Sequence, residues 1–158
     1  MSDSTLLTLY DEVRGKTLEL LAGVGERKSL CAPPGLHNSI RWHAGHCYVV
    51  VEVLCAKALE TSPQCPAGWF ELFSWESQPA RTKPDRWPSL QTVIGQLHAQ
   101  HERLRRTLGS LTPEVLSSCP PHLGESSIRR QIVHALHDEA SHGGEIWLLR
   151  KMLARKKA

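Results

Sequence analysis

Four side chains able to hold a metal ion or move a proton recur in the stretch Ile128 to Arg150: His134, Asp138, His142 and Glu145. At about 100° per residue in a helix they fall within an arc of roughly 80°, on the side that also carries Ala135, Ile146, Leu149 and Leu153. Groups of this kind are costly to bury unless each is paired or bound to a metal, so the row asks for a partner elsewhere in the chain. A second stretch offers one. From about Asn38 to Leu59, His43, His46 and Val50 stand at i, i+3 and i+7, which puts two histidines on a face with core residues. His46 with Asp138 and His142 makes the strongest donor set. Two imidazoles and a carboxylate suit Zn²⁺, Ni²⁺ or Fe²⁺, and three protein ligands leave positions open for water or substrate.

The remaining polar groups take lesser roles. Glu145 and His134 are the candidate proton carriers. His43 is expected to support the site from the core rather than to ligate, because a ligating histidine commonly needs a partner for its other ring nitrogen; Glu52 and Glu145 could serve the same end. Trp42, Trp69 and His101 are the candidate walls of a substrate pocket. Cys47 adjoins His46 but points about 100° away, which argues against a catalytic thiol.

Positioning these groups takes four long helices. The first is expected from Ser4 to about Val24, with Leu6, Tyr10, Val13, Leu20 and Val24 at helical spacing, and with Ser2, Asp3 or Ser4 as its cap. Adjacent prolines and Gly35 force a turn before Asn38 or Ser39 caps the second. The third runs from Ser89 to about Leu108, and a short helix follows with Pro113 just inside its start. Ser126 or Ser127 caps the last. Between the second and third helices, Thr61 to Pro88 holds five prolines and the tryptophans Trp69, Trp75 and Trp87. Three tryptophans are expensive to leave in water, so this long connection is expected to be an ordered lid or lobe rather than disordered. With no alternating strand pattern and no glycine-rich phosphate loop, the chain reads as all-α, a four-helix bundle.

Composition bounds the rest. The length of 158 residues suits a single domain spanning 1–158. No apolar run approaches the roughly 20 residues that cross a bilayer, and Met1-Ser-Asp-Ser lacks a signal-peptide pattern, so a cytoplasmic protein is expected. Five cysteines without a C-x-x-C pair argue for reduced thiols rather than disulfides or a cysteine zinc site. The net charge of +3 is mild and gathers in Arg150, Lys151, Arg155, Lys156 and Lys157, where it complements a helix C-terminus; a nucleic-acid partner is not expected. Nine histidines are the oddity of the composition.

The string Asn38-Ser39-Ile40-Arg41-Trp42-His43-Ala44-Gly45-His46 resembles the N-S-I-x-W-H-x-G-H signature of the DinB-like (YfiT-like) superfamily of damage-inducible helical-bundle proteins. Gly68-Trp69-Phe70-Glu71-Leu72-Phe73, Pro88-Ser89-Leu90, and His142-Gly143-Gly144-Glu145-Ile146 with Leu148-Leu149-Arg150 extend the resemblance, in order, over nearly the whole chain. It implies a bundle of up-down-down-up type with a divalent-metal site, made from one histidine on the second helix and an H-x-x-x-H pair on the fourth. His46 matches the first ligand and His142 the last. Asp138 stands where the family most often has histidine, and aspartate can replace it as a hard ligand.

Two functions follow. The first is a metal-dependent enzyme, which the resemblance extends to a low-molecular-weight-thiol S-transferase or a metal-dependent hydrolase, with a thiol as substrate, a role in stress response, and a homodimeric assembly. The alternative is a non-catalytic bundle with a degenerate metal site, binding a small ligand or partner, its polar row satisfied by internal hydrogen bonds.

Overall fold

The structure is a computed structural model and describes residues 3–154. Four long helices carry the fold: α1 (Ser4–Leu21), α3 (Ile40–Ala58), α5 (Leu90–Gly109) and α7 (Ile128–Ala154). Three short helices lie in the connections, α2 (Glu26–Ser29), α4 (Trp69–Phe73) and α6 (Pro113–Ser117), so the described residues hold seven α-helices rather than four. No strand occurs among the described residues.

The caps follow from side-chain chemistry. Leu6 N–H donates to Asp3 Oδ1 at the start of α1, Trp42 N–H to Ser39 Oγ at α3, and Thr92 N–H to Ser89 Oγ at α5. Arg130 N–H donates to Ser127 Oγ in the first turn of α7. Of the cap residues expected for α1, Ser2 lies outside the described residues, as do Arg155, Lys156 and Lys157 of the basic tail. Helix α1 stops three residues short of the expected Val24, because Gly23 turns the chain at φ +73°. Helix α2 then has a task that its length hides. Glu26 accepts from the free N–H groups of Leu90 and Gln91 at the start of α5, while Arg41 of α3 bonds Ser29 Oγ and the Glu26 carbonyl.

Two apolar clusters fill the bundle. One gathers Leu20 and Leu21, Ile40 to Val49, Leu90 to Leu97, and Ile146 with Leu149. The other gathers Leu6 and Tyr10, Val51 to Ala58, Leu104 with Leu108, and Ile128 to Leu136. Helices α1 and α7 therefore begin at one end and α3 and α5 at the other, so consecutive long helices run up, down, down and up. Between the clusters lies a buried polar layer. Arg14 and Glu139 are both fully buried and paired at 2.7 Å, Arg14 also donates to the Leu97 carbonyl and Gln100, and Gln100 in turn donates to Glu52 and the Tyr48 carbonyl.

The long connection is ordered around the core as a lobe. Trp69 is buried, Trp87 half-buried, and Trp42 Nε1–H donates to Ser77 Oγ at 2.8 Å. Trp75 departs from the expectation of a tryptophan lid: it is 56% exposed and only edges against Phe70.

Candidate metal centre

Helices α3 and α7 form the most extensive packing in the bundle, and the site lies between them. His46, Asp138 and His142 converge there, each offering one donor atom with all three atoms within 4.8 Å of one another. His46 Nε2 stands 3.7 Å and His142 Nε2 3.6 Å from Asp138 Oδ2. Donor atoms about 2.1 Å from a tetrahedral ion would stand about 3.4 Å apart, so the two sides of the triangle that meet at Asp138 Oδ2 need to close by only a few tenths of an ångström.

Each ring is held by its other nitrogen. His46 Nδ1–H donates to the Phe73 carbonyl at 2.6 Å, which leaves the Nε2 lone pair facing Asp138. That carbonyl is available because it ends α4, where the last carbonyls have no partner within the helix. The same residue explains a small one. A Cβ on Gly45 would overlap the Phe73 ring, so the glycine before His46 is required for α4 to come this close. Trp42 then stacks on the His46 ring, with centroids 4.6 Å apart.

His142 is held by a third histidine. Its Nδ1 lies 2.8 Å from His43 Nδ1, so one ring must donate and the other accept. With the proton on His142 Nδ1, the His142 Nε2 lone pair faces Asp138. Burial, reinforced by the neighbouring His142 and His46, depresses the His43 pKa to about 3 and keeps that ring neutral. Burial likewise lowers His46, against the Phe73 bond, and His142, against Asp138 and Glu145. All three imidazoles are therefore in the form that can ligate or accept.

Asp138 Oδ2 is the exception to this order: it is buried and has no hydrogen-bond partner. A carboxylate oxygen held without a proton donor, facing two neutral nitrogen lone pairs, fits a divalent cation. His46, Asp138 and His142 are the residues that would hold it.

The other expected residues are divided by the fold. Glu145 lies on the wall of a cavity of about 230 Å³ that also touches His43 and His142. His134 is exposed, two turns before His142 and about 12 Å away along α7, and is not brought to the cluster. His101 pairs with Asp11 of α1 at 2.8 Å and packs edge-on to Tyr10, away from the three donors. Trp69 lies behind the site against Tyr48 and Phe73. Glu52 serves the polar layer and bonds the Gln64 N–H. Cys47 is fully buried with its thiol pKa pushed up by burial, as its direction on α3 implies.

Sequence reasoning missed the Phe73 carbonyl, the wall residues His37 and Asn38, and the Arg14–Glu139 pair. A signal existed for the pair. Tyr10, Arg14, Thr17 and Leu21 stand at i, i+4, i+7 and i+11, so a charge lies on the core stripe of α1.

The fold and the donor triangle together describe a helical bundle with a two-histidine, one-aspartate centre between its second and fourth long helices. The chain matches the DinB superfamily over residues 9–146 and belongs to it. A solved structure of a conserved protein from Enterococcus faecalis is similar, with a TM-score of 0.75 and 17% identity over 98% of each chain, which shows a shared fold. No curated protein matches the chain.

Proposed function

We propose that this protein is a divalent-metal-dependent enzyme acting on a small thiol or by hydrolysis, with His46, Asp138 and His142 as the metal ligands. The observation that carries this reading is the unpartnered, buried Asp138 Oδ2 set between His46 Nε2 and His142 Nε2. A bound ion would supply acidification of a thiol or a water at the positions that three protein ligands leave free. The chain's own groups do the rest. Phe73 and His43 fix the two ligand rings, Trp42 covers His46 from solvent, and Glu145 stands at the cavity wall where it can take up the released proton.

The bond between His43 and His142 also favours a second reading, in which the row is a hydrogen-bonded core and the bundle binds a ligand without catalysis. Metal content separates the two. Purified without a histidine tag, exposed to Zn²⁺, Ni²⁺, Mn²⁺ or Fe²⁺ and freed of loose ion, the wild type is expected to hold about one equivalent. His46→Ala and His142→Ala are each expected to lose it. A wild type that holds none of the four ions overturns the enzyme reading.

A further inference from the structure

Helix α7 carries two consecutive glycines, Gly143 and Gly144, in its middle. Glycine is the poorest helix former after proline, so a helix keeps such a pair for close packing or for space. Close packing does not require it. A Cβ at Gly143 would make ordinary contact with Leu20 at 3.8 Å, and one at Gly144 would meet nothing within 4 Å.

What the glycines leave is the floor of a groove between α1 and α7. Its mainly apolar section, about 400 Å³, is walled by Val13, Leu20, Ala140 and Trp147, and Glu12, Lys16 and Thr17 of α1 also line it. Toward the ends of α1 and α7 it continues past Leu20 and Trp147 into a second section of about 480 Å³. There the walls carry Lys16, Lys28, Arg150 and Lys151 against one carboxylate, Glu19, which Lys16 already pairs. Trp147 stands between the sections, 52% exposed, with the Lys151 ammonium 3.8 Å from its ring centroid. Arg150 is fixed by donating to the Leu20 carbonyl at 2.6 Å.

We propose that this groove binds a small amphipathic anion, a medium-chain carboxylic acid in type, at a site separate from the metal centre. The apolar section takes the chain, with Gly144 beneath it and the Trp147 indole along it. The carboxylate reaches the basic section, where Lys28, Arg150 and Lys151 have no carboxylate partner among the described residues and Arg150 is already bonded to the Leu20 carbonyl. An apolar trough that ends in several cations is complementary to a molecule with one charged end. A neutral chain would forgo half of it.

The probe is sodium decanoate below its micellar concentration, followed by titration calorimetry and by tryptophan fluorescence. Wild type is expected to bind one equivalent saturably, and decanol to bind at least tenfold more weakly. Gly144→Leu fills the trough and should weaken decanoate at least tenfold while melting no lower than wild type, since leucine is the better helix former and no neighbour obstructs it. Lys28→Glu with Lys151→Glu should weaken decanoate but leave decanol unchanged. His46→Ala should bind decanoate as wild type does, which keeps this site independent of the metal reading. Absence of saturable binding to wild type overturns the proposal, as does an affinity unmoved by Gly144→Leu. Sedimentation showing a dimer that Gly144→Leu dissociates would assign the groove to a second copy instead. Binding to anionic phospholipid vesicles without binding of monomeric decanoate would assign it to a membrane surface.

Discussion

The bundle buries two polar centres, and they are built on opposite terms. In the layer around Arg14, each guanidinium nitrogen has an acceptor: Glu139 twice, the Leu97 carbonyl and Gln100. In the cluster between α3 and α7, two rings are tied down on one nitrogen each, while His46 Nε2 and His142 Nε2 stand 3.7 and 3.6 Å from Asp138 Oδ2, too far for a hydrogen bond. A closed network stabilises a single arrangement of helices. A set of acceptors aimed at one point is arranged for something positive. Burial alone therefore does not distinguish scaffold from site; the balance of donors and acceptors does.

Breaking the closed centre should cost most. Arg14→Ala leaves the Glu139 carboxylate buried and unpaired and is expected to lose about 3–5 kcal/mol in urea unfolding, whereas Arg14→Met combined with Glu139→Leu should lie near wild type or above it. Metal stoichiometry unchanged in that double variant would show the two centres to be independent. A smaller effect belongs to pH. His43, His46 and His142 are each held below the ordinary imidazole value, so below about pH 6.5 the unfolded chain binds protons that the folded chain refuses. Stability of the metal-free protein is therefore full above that pH and falls as acid is added, by up to about 2 kcal/mol between pH 6.5 and 5 for each ring that stays neutral. Guanidinium groups do not titrate there, so His43→Gln should flatten the slope and Arg14→Met with Glu139→Leu should not. The smallest effect is the most discriminating. Asp138→Leu removes an unpartnered acceptor and should leave metal-free stability within about 1 kcal/mol of wild type, while abolishing the rise in melting temperature on adding metal. A loss as large as that of Arg14→Ala would make Asp138 part of the scaffold.

Much of this was legible in the sequence because it depends on periodicity and capping. The long helices, the caps at Ser39 and Ser89, and the pairing of His46 with Asp138 and His142 all follow from side-chain spacing. Three things escaped. The core face of α7 runs through Ile132, Ala135, Glu139 and Ile146, nearer Glu139 than the row of titratable groups suggests, which leaves His134 in solvent. The position of His101 suggests a pocket wall, but its partner Asp11 is on another helix, and no spacing within α5 reveals that. The hold on His46 is a main-chain oxygen, which carries no residue signature; only Gly45 and the Trp69–Phe73 segment marked its place.

That oxygen gives the bundle's topology a kinetic meaning. Because α3 and α5 run the same way, the chain must travel back along the bundle, about 30 Å, before α5 can begin. The connection that makes this journey is the longest of the three between the long helices, and bringing its ends together carries the largest loop-closure entropy among them. It also delivers Phe73 to His46. Cleavage near the exposed Trp75 would leave α4 joined to α3 but cut it off from α5, so a nicked chain could keep its helices and still lose the alignment of one ligand.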